Sequence, residues 1–104
     1  MVEIITAEEF DCKIEQTAGI SMVLLIMSNC GFCKTAKQQL DEDFGEIHKI
    51  YVMDVTDDLE FAEKHNINAV PMLFIYKDGS FVTKSGAVLD REHIKGKVRV
   101  AESS

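Results

Sequence analysis

The sequence predicts an α/β fold with a central mixed β-sheet flanked by helices. In the part of the chain before Pro71, apolar runs alternate with segments of helical periodicity, in the order strand, helix, strand, helix, strand, helix. After Pro71 the pattern changes to two β-prone runs around a polar turn, which is typical of an antiparallel hairpin. The alternating part favours parallel strands and the hairpin adds antiparallel ones, so a mixed sheet is expected.

The first helix is predicted from its capping residues. Residues 2–5 form a β-prone run, and Thr6 with Glu9 has the spacing of a capping box. We therefore expect a helix over residues 7–17. Gly19 is expected to end it, because glycine readily adopts the left-handed conformation that often follows a helix.

The other elements follow from apolar runs, caps and turns. Residues 21–27 are apolar after the first residue, as in a central strand buried on both faces. Asp57 is expected to cap the third helix, and Asp90 the last one. The further predicted elements are a helix over 32–43, a strand over 47–55, a helix over 59–65, and a hairpin of 72–76 and 81–85 around the turn 77–80.

The length and composition predict one domain over residues 1–104. With 46% hydrophobic and 28% charged residues, the chain has enough material for a single core. No apolar run approaches the roughly 20 residues that span a bilayer, so we expect no membrane association. Residues 1–6 lack a basic region and a long apolar core, which predicts no signal peptide and a cytoplasmic location. The net charge of −7 argues against nucleic acid as a partner, because phosphate binding needs clustered Lys and Arg.

A pair of cysteines lies between the predicted central strand and the next helix. Cys30 and Cys33 are separated by Gly31 and Phe32. The N–H groups and macrodipole at a helix N-terminus stabilise a thiolate, and Cys30 is the cysteine at that end. Cys33 lies three residues further on the same helical face, close enough to form a disulfide with Cys30 or to resolve a mixed disulfide. Redox chemistry is therefore the leading hypothesis.

Several side chains near the pair have two interpretations. Lys34 and Lys37 follow Cys30 by one and two helical turns, where they either favour its thiolate or are solvated surface residues. Phe32 is either an exposed contact for a protein partner or an aromatic ring packed on its own helix. Cys12, on the polar side of the first helix, is either a regulatory thiol or a passive small residue.

The three histidines do not form a metal-binding pattern. They lie on different predicted elements and without the spacing of metal ligands, so each is expected at the surface. They are His48, His65 and His93.

Three motifs occur in a fixed order along the chain. They are Cys30-Gly31-Phe32-Cys33-Lys34 after the second strand, Val70-Pro71 before the hairpin, and the turn Lys77-Asp78-Gly79. In this order they resemble thioredoxin across nearly the whole chain. The resemblance implies a thioredoxin-like fold, with Cys30 as the nucleophile and Cys33 as the resolving cysteine of a redox-active disulfide. It also implies a cis peptide bond before Pro71 and a substrate-binding groove formed by Val70, Pro71, Gly86 and Ala87.

The chain departs from the thioredoxin pattern beside the cysteines. Asn29 stands where thioredoxins usually carry Trp, and Phe32 stands where they carry Pro. These two residues, with Gly31 and Lys34, form the active-site context that the resemblance implies. The surface around Cys30 is therefore expected to be altered.

A second departure concerns a buried carboxylate. Thioredoxins place an Asp beneath the second cysteine and a Lys nearby, and the aligned strands here carry Leu24 and Ile50. The group that helps to take the proton from the second thiol is therefore missing at the matching position. Asp54 and Asp57 follow the third strand and are candidates to replace it through a water molecule.

The resemblance leads us to expect a protein-disulfide reductase of the thioredoxin type, active in electron transport and cell redox homeostasis. We expect a monomer without cofactor or metal, which acts on disulfide-containing proteins and is recharged by a flavin-dependent thioredoxin reductase. One alternative is a glutaredoxin-like, glutathione-linked protein, because Cys-Gly-Phe also begins the monothiol glutaredoxin motif. Against it, the glutathione-gripping residues of that family are reduced to Gly86 and a distant Asp90. Another is half of a zinc site, which needs two further ligands, and the chain has no second C-x-x-C.

Overall fold

A five-stranded sheet forms the centre of the molecule in a computed structural model, which describes residues 2–104. Met1, the first residue of the expected single domain, lies outside the described residues. The elements are β1 (Val2–Ile4), α1 (Ala7–Gln16), β2 (Ile20–Ile26), α2 (Cys33–Phe44), β3 (Lys49–Asp54), α3 (Leu59–Lys64), β4 (Met72–Lys77), β5 (Ser80–Ser85) and α4 (Arg91–Glu102). No helix within residues 2–104 has the length and apolar character needed to cross a membrane.

The sheet is mixed, and its strand order is β1-β3-β2-β4-β5. β1, β3 and β2 are parallel, whereas β4 runs antiparallel to both β2 and β5. Met22 and Leu24 of β2 point into the core that α2 and α4 cover. Val23 and Leu25 point into the opposite core, beneath α1 and α3. Burial on both faces accounts for the continuous apolar run of β2, and the predicted fold class is confirmed.

The first helix begins as predicted and ends earlier. Thr6 and Glu9 form both hydrogen bonds of the capping box. The helix stops at Gln16 because the Thr17 hydroxyl donates to the Lys13 carbonyl oxygen at 2.8 Å and thereby replaces the next helical bond. Gly19 does adopt a positive φ of 74°, but it lies in the turn before β2. The prediction that Gly19 ends the helix is wrong.

The cap of α3 also differs from the prediction. The Oδ1 atom of Asp58, not of Asp57, accepts the Phe61 N–H at 2.9 Å. A capping side chain bonds the N–H two or three residues after it, and Asp58 has the matching position for the start of this helix. Asn66 follows the helix and adopts the left-handed conformation, with a φ of 54°.

A β-bulge between β4 and β5 changes which side chains share a face. Ile75 pairs with Thr83, but Tyr76 pairs with Phe81, so Val82 is an extra residue. Strict alternation would place Phe81 and Lys84 on opposite faces. Instead both line one open cleft of about 450 Å³, together with Phe10, Asp11, His65, Phe74, Tyr76 and Gly79. This cleft is on the side of α1 and α3.

Replacing either of two glycines by alanine is expected to change the stability of the protein, in opposite directions. Gly96 lies inside α4, and a methyl group there would meet nothing within 4 Å. We expect Gly96→Ala to raise the free energy of unfolding by roughly 1 kcal/mol, since glycine is the weaker helix former. Gly79, with a φ of +83°, is the matched control. Gly79→Ala should lower the free energy of unfolding by about 1–2 kcal/mol, because the left-handed conformation costs an L-residue that much.

Urea unfolding measures both changes. A destabilising Gly96→Ala would contradict a regular, uncrowded helix at that position. A neutral Gly79→Ala would contradict the left-handed turn.

Candidate active site

The two cysteines of the C-x-x-C motif form a disulfide. The Sγ atoms of Cys30 and Cys33 are 2.08 Å apart and their Cα atoms are 5.4 Å apart. α2 begins at Cys33, one residue later than predicted, and Phe32 is the N-cap residue. Cys33 is buried, with 4% of its surface exposed, whereas Cys30 is half-buried. Cys30 is therefore the cysteine that is more accessible to an external reactant.

The start of α2 favours negative charge at the cysteines. No side chain caps this helix, and its first turn contains no acidic residue. The backbone N–H groups of the first turn have no partner inside the helix. They and the helix dipole are consequently available to a cysteine thiolate once the disulfide is reduced.

Lys34 and Lys37 are exposed on one side of α2. They line a cleft of about 270 Å³ with Val2, Gln38 and Asp41, at the side of the helix that faces β1. Both interpretations of these lysines stay open.

The loop before β4 lies at the same end of the sheet as the disulfide. The Val70–Pro71 peptide bond is cis, as the resemblance implied. Met72 pairs with Leu25 near the end of β2, and the cysteine loop follows β2 directly. The loop before β4 and the cysteine loop therefore leave the sheet side by side.

The Gly86–Ala87 segment reaches this end as well. Leu73 pairs with Ser85, so the next residues of the chain pass beside Met72 and Pro71. A Cβ atom on Gly86 would lie 3.8 Å from Cε of Met72. The structure thus brings all four residues of the expected groove to the end of the sheet where the cysteines lie.

The surface around the disulfide is partly apolar. Phe32 is 67% exposed, so the interpretation that its ring packs on its own helix is wrong. A cleft of about 190 Å³ lies beside the loop before Pro71. Its lining residues are Met27, Val55, Ala62, Ile67, Asn68, Ala69 and Val70.

The interior beneath the cysteines is apolar. Leu24 is fully buried, and the β3 residue that pairs with it is Val52. Ile50, which we expected beside Leu24, pairs with Met22 instead. The position next to Leu24 is therefore Val52. Both β3 residues are apolar and buried, so neither supplies a cation.

Asp54 belongs to a hydrogen-bond network that was not predicted from the sequence. Its Oδ1 atom accepts hydrogen bonds from the N–H and hydroxyl of Thr56. Thr56 Oγ1 in turn accepts the Ser28 N–H at 2.8 Å. These bonds connect the end of β3 to the loop that precedes the cysteines. The Asp-x-Thr spacing is typical of a side chain that bonds the backbone two residues on, and this signal could have revealed the first half of the network.

The same network affects the proton chemistry of Asp54. The hydrogen bonds from Thr56, followed by that from Ser28, lower the pKa of Asp54 below its ordinary value. A carboxylate with a lowered pKa is a weaker base. Asp54 is therefore a poor substitute for a buried proton acceptor, and Asp57 lies on the exposed surface.

The histidines are less exposed than expected. The prediction of a surface position holds for His93 and is wrong for His48 and His65, which are half-buried. Burial, followed by the charge of Lys64, lowers the pKa of His65, whose ring packs 4.2 Å from that of Phe61. Within residues 2–104, no three His, Cys, Asp or Glu side chains are grouped as metal ligands.

The third cysteine is a free thiol. Cys12 is exposed on α1, where its Sγ accepts a hydrogen bond from Nε2 of Gln16 at 3.2 Å. Its two interpretations, a regulatory thiol and a passive small residue, both stay predictions.

The family model of thioredoxin matches residues 1–100 of the chain. The chain is 30% identical over 93 residues to the thioredoxin of Staphylococcus epidermidis, an alignment covering 86% of this chain and 88% of that protein. It is 27% identical over 95 residues to the thioredoxin of Bacillus subtilis strain 168, covering 88% of this chain and 91% of that one.

Solved structures show the same fold. The short form of thioredoxin f from spinach chloroplast superimposes with a TM-score of 0.84 at 16% identity, over 96% of this chain and 92% of that one. Thioredoxin f2, solved in complex with ferredoxin:thioredoxin reductase, also has a TM-score of 0.84, at 18% identity, over 96% of this chain and 94% of that one.

Proposed function

Since the chain belongs to the thioredoxin family and is a thiol-disulfide oxidoreductase, we propose that it reduces protein disulfides through Cys30 and Cys33. The observation that carries the proposal is the unequal burial of the two cysteines. A nucleophile must meet the substrate, whereas a resolving thiol must meet only the nucleophile. The half-buried Cys30 suits the first role and the buried Cys33 suits the second.

The reaction proceeds by two exchanges. In the reduced protein, the Cys30 thiolate attacks one sulfur of the substrate disulfide, and the other substrate sulfur leaves as a thiolate. Cys33 then loses its proton and attacks the Cys30 sulfur of the mixed disulfide. The second substrate sulfur leaves, and the Cys30–Cys33 disulfide forms. Two electrons have then passed from the protein to the substrate. The substrate thiolates take up the Cys33 proton and one proton from water, so the substrate becomes a dithiol.

The substrate segment binds beside the disulfide in an extended form. The exposed backbone of Val70 pairs with it as a strand, and Gly86 and Ala87 form the rim of the groove. The exposed ring of Phe32 supplies an apolar contact on the opposite side. Asn29, Gly31 and Lys34 complete the surroundings of Cys30. Glycine at position 86 leaves room for the substrate backbone.

The oxidised protein is recharged by a flavin-dependent thioredoxin reductase. The solved thioredoxin f2 is bound to a different enzyme, ferredoxin:thioredoxin reductase. At 18% identity that structure supports the fold alone, and the choice of a flavin-dependent reductase rests on the resemblance of the sequence to thioredoxin. We place the protein in the cytoplasm as a monomer that supplies electrons to disulfide-containing proteins.

The midpoint potential of the Cys30–Cys33 couple tests this proposal. The protein is equilibrated in graded dithiothreitol buffers, its free thiols are counted, and catalysis of insulin reduction is measured in parallel. A potential near about −270 mV with catalysis is expected for a general reductant of the thioredoxin type. A value nearer about −200 mV would favour a glutaredoxin-like, glutathione-linked activity instead. Failure to accelerate insulin reduction would contradict the proposed function.

A further inference from the structure

Ser85 is a buried polar residue at the end of β5, directly before the groove rim. Its exposed fraction is 9%. The Oγ atom accepts the Ala87 N–H at 3.1 Å and is hydrogen-bonded to Nε2 of His93 at 2.9 Å. A serine hydroxyl thus connects the rim of the groove to a side chain of α4.

The peptide groups of Ala87 are held on both sides. The Ala87 carbonyl oxygen accepts the Asp90 N–H at 3.2 Å, while its N–H donates to Ser85. Asp90 is the N-cap of α4, and its Oδ1 atom accepts the His93 N–H at 3.1 Å. The rim is therefore tied to the first turn of α4 through backbone and side-chain bonds.

We propose that Ser85 and His93 are positioning residues that hold the Gly86–Ala87 rim in the conformation that receives the substrate segment. The inference rests on the proposed function, because it requires a substrate to lie against the rim. Neither residue touches the reacting sulfurs in this proposal. They act through the backbone of Ala87.

His93 is needed because a serine hydroxyl alone can rotate. Rotation about χ1 has three staggered positions, and only one of them directs the oxygen at the Ala87 N–H. The bond to Nε2 of His93 selects that position. Nε2 either accepts the hydroxyl proton or donates its own, and in both cases the Ser85 oxygen keeps a lone pair for Ala87. The hydrogen bonds of Ser85 to His93 and Ala87 can therefore form with either neutral tautomer of His93.

A rim held in place before binding reduces the entropy lost on binding. Loss of these hydrogen bonds should weaken substrate binding and leave the exchange chemistry unchanged. It should therefore raise KM for a protein disulfide without lowering kcat. A small disulfide that does not extend along the rim should be unaffected.

The test compares His93→Leu with the unmodified protein in two assays. With insulin as substrate, we expect KM to rise roughly three- to tenfold, the range for one hydrogen bond, and kcat to stay unchanged. With hydroxyethyl disulfide, we expect no change. His93→Gln should restore the insulin KM, because its amide group reaches the place of Nε2. Ser85→Ala should raise KM as His93→Leu does.

His48→Leu is the matched control. His48 also makes a 2.9 Å hydrogen bond, to Glu102, but it is not bonded to the rim. It should leave both assays unchanged, and urea unfolding verifies that each variant is folded.

Equal insulin KM values for the unmodified protein, His93→Leu and Ser85→Ala would overturn the inference, as would equal losses in both assays. The proposed function would fail separately, if the unmodified protein itself did not reduce insulin.

Discussion

Cys33→Ser is expected to convert the protein from a catalyst into a covalent trap for its substrates. Cys30 can still attack a disulfide, but no second thiol remains in the C-x-x-C motif to release it from the mixed disulfide. The buried position of Cys33 and its 5.4 Å Cα–Cα distance from Cys30 make it the thiol available for release. Insulin reduction should fall to the rate of dithiothreitol alone. Intact mass measured without reductant should show one insulin molecule attached to the protein through a mixed disulfide.

Two further variants make this result specific. Cys30→Ser should trap and reduce nothing at the C-x-x-C motif, because the thiol that remains there, Cys33, is buried. Cys12→Ser should keep full activity, since Cys12 is exposed on α1 and lies outside the C-x-x-C motif. Trapping by Cys30→Ser rather than Cys33→Ser would reverse the two assigned roles.

Leu24→Asp is expected to accelerate resolution at neutral pH while it destabilises the fold. Leu24 is fully buried in the core that α2 covers. A carboxylate there would lie beneath the helix that begins at Cys33 and could accept the proton of that thiol. A positioned general base contributes roughly 10²-fold or more, so stopped-flow kinetics of exchange should show a gain of that order. The loss of apolar contacts and the burial of a polar group should cost at least about 3 kcal/mol of unfolding free energy.

Leu24→Asn is the matched control for this variant. Asn is as large as Asp and also polar, but its amide group accepts no proton. The Leu24→Asn variant should therefore be destabilised without faster exchange. Leu25→Asp provides a second comparison, because Leu25 is equally buried and faces the opposite core. If Leu24→Asp remained folded and its exchange rate were unchanged, the missing proton acceptor would not limit this protein.

Local patterns were sufficient for the elements and for the reactive pair. The capping box at Thr6, the apolar run of β2 and the turn around Gly79 each lie within a few residues, and each predicted its element. The cysteine pair was placed correctly between a strand and a helix, with an error of one residue in the helix start. Propensity and capping act over such short spans, so these features can be read directly from the sequence.

The features that failed or were missed depend on contacts between distant parts of the chain. Val52 rather than Ile50 lies beside Leu24 because the register of β3 against β2 decides it. The bulge at Val82 reverses the face of the side chains after it, and alternation in the sequence contains no sign of it.

By itself, the sequence determined the order of elements, the dithiol and its place before a helix, because short-range periodicity and backbone preferences suffice for these. Only the tertiary structure decided which cysteine is accessible and which polar groups support the site. The Ser28 bond to Thr56 spans 28 residues, and the bond between Ser85 and His93 joins a strand to a helix. Such partners meet only when the sheet and helices have packed, since their geometry depends on strand register and helix position.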